Sequence, residues 1–146
     1  MILTIYFYRE NRARKSTMGF YELHNKTNDW NIANRKKQKY KLRFFADWGG
    51  DVLWTDSDDA FTTEKYGFGL IDPKDLNVSP ELCKELHTLG TEYQSALDWA
   101  YPPDPSPWTE EQFKDFFARL RIAYRKLCDE LKDDYDIAYL MSEKPW

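Results

Sequence analysis

A chain of 146 residues with 17% aromatic side chains and two cysteines can bury a domain-sized core, and it is too poor in cysteine for a disulfide scaffold. Its formal charge of −4 excludes a uniformly basic nucleic-acid binder. The sign is split along the chain: residues 1–45 carry 11 Lys and Arg against 3 Asp and Glu, a net +8, and residues 46–146 carry 10 against 22, a net −12. Such asymmetry points to charged partners or to a self-complementary molecule.

Residues 2–8 form an apolar run too short to span a membrane. It lacks the basic lead and small-residue cleavage site of a signal peptide, and reads as a buried strand. Residues 9–39 are polar and rich in asparagine, with a basic cluster at Arg35, Lys36 and Lys37. They read as a long loop with a short strand at 19–23. Tyr40, Leu42, Phe44 and Ala46 then alternate with Lys41, Arg43 and Phe45, the period of a half-buried strand. The 47–51 stretch turns the chain, and residues 52–54 return, so 40–55 is expected to be a hairpin. Asp56, Ser57, Asp58 and Asp59 read as a loop, as do residues 66–69.

Two helices follow. Ser79 is a good N-cap and Pro80 fits the first helical position. Leu82, Leu86, Leu89, Tyr93 and Leu97 make one apolar stripe, so a helix is expected over about 79–100. Gly90 is its weak point, at about 1 kcal/mol relative to alanine. Pro102, Pro103, Pro105 and Pro107 predict a stiff, extended connector. Thr109 and Gln112 form a capping box, and Trp108 and Phe113 a hydrophobic staple. The stripe from Phe113 through Phe116, Phe117, Leu120, Tyr124 and Leu127 to Leu131 predicts a second helix over about 109–132. Residues 135–140 read as a last strand. The expectation is an α+β fold in a single domain spanning 1–146. It has a mainly antiparallel sheet, two helices packed on one face and a C-terminal strand.

Catalytic signals are missing. Cys83 and His87 lie one helical turn apart, but nothing supplies the other two ligands of a zinc site. Asp56, Asp58 and Asp59 resemble the start of a calcium loop, yet Phe61 and Gly67 stand where Gly and Glu are required. No phosphate-binding loop, nucleophile elbow or metalloprotease motif occurs. The residues therefore predict no enzyme, no cofactor, no metal and no catalytic residue. Cys83 and Cys128 read as buried thiols of a cytoplasmic protein, with a bridge between them as the alternative if their helices pack side by side. The Lys and Arg of segment 9–45, interleaved with Tyr8, Tyr21, Trp30 and Tyr40, support an alternative: a nucleic-acid-binding accessory protein. The acidic overall balance and the absence of known recognition modules weigh against it.

Several stretches carry a resemblance: Trp48-Gly49-Gly50-Asp51-Val52-Leu53-Trp54, Tyr66-Gly67-Phe68-Gly69-Leu70-Ile71-Asp72, Asp75-Leu76, the 79–86 segment, Glu130-Leu131 and the 135–139 segment. Over roughly residues 47–140 the chain resembles bacterial immunity proteins of contact-dependent growth inhibition and polymorphic toxin systems. That resemblance implies a cytoplasmic protein that binds and neutralises a cognate toxin domain, often a basic nuclease. It implies neither a membrane nor a nucleic-acid partner, and it carries over no binding residues. The residues themselves suggest the docking region. Loops presented by a sheet are good binding elements, and carboxylates steer basic partners. Segment 47–64 is therefore expected to contribute Trp48, Asp51, Asp56, Asp58 and Asp59.

Overall fold

Strand β1 (Tyr40–Phe44) buries Leu42 and Phe44 and turns Lys41 and Arg43 outward, as a period of two demands. The computed structural model describes residues 37–144. The strands expected at 2–8 and 19–23, and most of the basic segment 9–45, lie outside these residues. β1 pairs antiparallel with β2 (Leu53–Thr55), Leu42 opposite Thr55 and Phe44 opposite Leu53. The expected hairpin is present, its second strand shifted by one residue. Beyond β2, the Thr55 amide donates to Gly69 O and the Ile71 amide to Leu53 O, at 2.8 and 3.0 Å.

The other neighbour of β1 is β3 (Tyr135–Tyr139), and that pairing is parallel, Tyr40 opposite Tyr135 and Phe44 opposite Tyr139. The sheet is therefore mixed, in the order β2-β1-β3, and not mainly antiparallel as expected. Alternation reports which face a residue occupies and is the same for either strand direction. The direction of β3 is set by the helical connection that brings the chain back to the start of β1.

The expectation of two helices is also corrected. A third, α1 (Ala60–Tyr66), follows the acidic turn, capped by Asp59. Its seven residues are too few to display a stripe. A single 3-10 turn at Pro73–Asp75 leads into α2 (Pro80–Gln94), which starts on Ser79 as expected. α2 stops at Gln94, short of residue 100, because polar side chains take up the carbonyls at its end. Trp99 Nε1 donates to Gln94 O at 2.7 Å, and the Ser106 hydroxyl donates to Ala96 O. The proline segment is no extended rod, since the Asp104 amide closes a turn onto Tyr101 O at 2.9 Å.

Helix α3 (Glu110–Leu131) starts as its signals predict. Gln112 N donates to Thr109 Oγ1 at 3.2 Å and Thr109 N to Gln112 Oε1 at 2.7 Å, while the Trp108 and Phe113 rings meet at 5.2 Å. α2 and α3 pack together against the buried face of the sheet, with Leu42, Phe44, Leu53, Leu86, Phe116, Leu120 and Leu127 at the centre of the core. Both cysteines are free, Cys83 buried and Cys128 half-buried. Among the described residues no helix is long and apolar enough to cross a membrane.

Candidate partner interface

The five residues expected to bind a partner fall at opposite ends of the β1–β2 hairpin. Asp56, Asp58 and Asp59 sit beside the start of β1, where the Asp56 amide donates to Lys41 O at 3.0 Å. Two of these carboxylates have local structural tasks. Asp56 Oδ1 accepts from the Asp58 amide at 3.1 Å. Asp59 Oδ2 accepts both the amide and the hydroxyl of the buried Thr62, at 3.0 and 2.5 Å. Asp58 is exposed. Behind this turn lies an aromatic group in which Tyr40 stacks on Phe61 at 4.5 Å and meets Tyr66 and Tyr135 at 5.2 and 5.5 Å. Lys65 Nζ already occupies the Tyr40 face at 4.6 Å. Hydrogen bonding to Tyr40 and Tyr66 pushes its ammonium pKa up.

Trp48 and Asp51 occupy the far turn, which Gln94 at the end of α2 holds in place. Gln94 Oε1 accepts from the Gly49 amide at 2.7 Å. Gln94 Nε2 donates to Asp47 O at 3.0 Å and to Gly50 O at 3.2 Å. Trp48 stacks on Tyr93, ring centroids 6.0 Å apart and planes 6° from parallel. Tyr93 in turn contacts Trp108 and Phe116 at 6.2 and 5.4 Å. Burial pushes the Tyr93 phenol up to about 12, and the charge of Asp47 adds to the shift. Asp51 Oδ1 accepts from the Val52 amide at 3.0 Å, and its Oδ2 faces His87 Nδ1 at 3.2 Å. Trp99 and Tyr101, absent from the sequence-based expectation, project from the loop after α2. Their signal is two aromatic residues flanking a proline cluster.

A cleft of about 500 Å³ beside α2 includes Asp51, Cys83 and His87 in its lining. A Cys-His-Asp arrangement there would need an activated thiolate turned towards the imidazole. Instead Cys83 Sγ points to Val78 O at 3.8 Å, and burial pushes the thiol pKa up. Among the described residues no group of three His, Cys, Asp or Glu side chains could hold a metal ion. What the surface offers is exposed aromatic rings, a residue type enriched at protein interfaces, flanked by carboxylates.

The family described as Serratia CdiI immunity protein-like matches residues 40–142. The chain belongs to this family. The CdiI-like span begins at the first residue of β1 and ends just beyond β3, so it contains every element described above and both ends of the hairpin. It starts after most of the basic segment 9–45. Comparison with curated proteins finds no match.

Proposed function

We propose that this chain is an immunity protein that binds a cognate toxin domain in the cytoplasm of the producing cell, and that the toxin surface it contacts is basic, as a nuclease's is. The observation that carries the reading is the family match over residues 40–142. Charge supports it. Residues 37–144 hold 22 Asp and Glu against 14 Lys and Arg, a net −8, which speeds encounter with a cationic partner. Neutralisation by binding makes and breaks no bond, so it needs positioned contacts and no catalytic group. Trp48, Asp51, Asp56, Asp58 and Asp59 enter this reading as contributors, Asp58 through its charge alone.

The test is to search the neighbouring genes for a toxin domain and to co-express that domain with this chain. Restored growth and a complex that survives size-exclusion chromatography are expected. Absence of both rejects the reading. A toxin that leaves cellular DNA and RNA intact rejects only the nuclease part.

A further inference from the structure

Gln94 ties together two segments 45 positions apart in sequence. Its side chain holds the 47–51 turn by three hydrogen bonds, and its carbonyl receives Trp99 Nε1 at 2.7 Å. The loop after Trp99 is fixed as well. Asp98 Oδ1 accepts from the Ala100 and Tyr101 amides at 2.9 and 3.3 Å, and Trp108 Nε1 donates to Ser95 Oγ at 2.9 Å. Two large rings face solvent on a braced scaffold, Trp99 at 57% exposure and Tyr101 at 59%, and Trp48, stacked on Tyr93, keeps 38% of its surface exposed. Exposed tryptophan and tyrosine already held in place lose little entropy on binding, and they are the residue types that anchor interfaces.

The segments that carry these rings bear charge of one sign. No Lys or Arg occurs between Phe44 and Lys65, or between Glu85 and Lys114. These segments supply Asp47, Asp98 and Asp104 beside the rings. Among the described residues, Arg119 is held by Glu92 and Asp115, and Lys144 shares a cleft with Tyr93.

We infer that the Trp48–Trp99–Tyr101 platform, braced by Gln94, is the surface on which the toxin domain docks, and that its occupant is a Lys- or Arg-bearing segment of that domain. Cationic side chains lie over the Trp99 and Tyr101 rings, Trp48 borders the contact, and the charge of the cations meets the flanking carboxylates. The inference rests on the proposed neutralising function and adds where and through what chemistry contact is made.

The test measures binding of the purified toxin domain to the wild-type chain, to Trp99→Ala combined with Tyr101→Ala, to Asp98→Asn combined with Asp104→Asn, and to Asp56→Asn combined with Asp58→Asn. The aromatic double variant is expected to raise Kd about tenfold or more, chiefly through faster dissociation, while its far-ultraviolet circular dichroism stays native and its thermal midpoint falls only by the loss of the Trp99–Gln94 hydrogen bond. The Asp98 and Asp104 pair should slow association and flatten its salt dependence. Unchanged Kd in the aromatic variant while wild type binds overturns the platform and leaves neutralisation standing. The same holds if only the Asp56 and Asp58 pair weakens binding. Failure of the wild-type chain to bind rejects the proposed function and the platform with it.

Discussion

A Cβ placed on Gly90 would lie 2.3 Å from Asp51 Oδ1 and 3.3 Å from the Asp51 backbone at Cα. Gly90 is therefore the seat on which the 47–51 turn rests, and the glycine that looked like a weak point in α2 is a packing requirement. Helix preference alone makes Gly→Ala favourable by about 1 kcal/mol. Here the added methyl would push Asp51 off its bonds with the Val52 amide and His87, and overpacking of this kind costs roughly 1–3 kcal/mol. The two effects oppose, and the sign turns on how far Asp51 can give, its carboxylate at 2.3 Å and its Cα at 3.3 Å from the new methyl. Gly90→Ala is expected to destabilise the fold by about 1 kcal/mol net, read as a lowered thermal midpoint. A raised midpoint would show that the turn yields freely and that the close approach does not constrain it.

Among the elements, the start of α1 depends on one side chain. Asp59 caps its first turn and also takes the Thr62 hydroxyl, and Thr62 Oγ1 in turn accepts the Lys41 amide at 2.7 Å, linking the helix to β1. Asp59→Ala should cost about 1 kcal/mol, the usual worth of such a cap. Asp58→Ala, at an exposed site, should change stability by less than about 0.5 kcal/mol. Chemical denaturation of the two variants checks the contrast, and equal loss would place the support of α1 elsewhere. What sequence revealed follows the range of each signal. Ser79 with Pro80, the Thr109–Gln112 box and the Trp108–Phe113 staple operate within a few residues, and both helix starts were legible from them. The seven residues of α1 show no periodicity, and the parallel course of β3 is invisible to an alternation that serves either direction. The candidate site divides the same way. Trp48 and Asp51 stand out in a glycine-rich turn. Trp99 and Tyr101 join them only through Gln94, whose bonds cross 44 to 47 positions.

At the scale of the molecule, buried or half-buried tyrosines knit the sheet to the helices, which sets how the fold responds to alkali. Tyr93 lies between Trp48 and Phe116, and Tyr124 between Phe44 and Tyr139 with its hydroxyl donating to Ile137 O at 2.7 Å. Burial pushes both phenols up to about 12 from an ordinary 10.0, and it raises Tyr135 and Tyr139 as well. A raised value means that the folded state holds the proton more tightly than the unfolded chain does. The associated stability is complete below pH 10, where both states are protonated, and it drains away as the pH rises towards 12. For the buried Tyr93 the rise to about 12 corresponds to roughly 2–3 kcal/mol over that window, and for the more accessible Tyr124 to less. The thermal midpoint should therefore hold steady on the approach to pH 10 and fall steeply above it. Phenolate absorbance from these rings should appear together with unfolding, and Tyr93→Phe should blunt the fall. If instead the phenolate signal of all ten tyrosines rose smoothly near pH 10 while near-ultraviolet circular dichroism stayed native, the rings would be open to solvent. The aromatic bridge from Trp48 to Phe116 could not then be what seats the turn on α2.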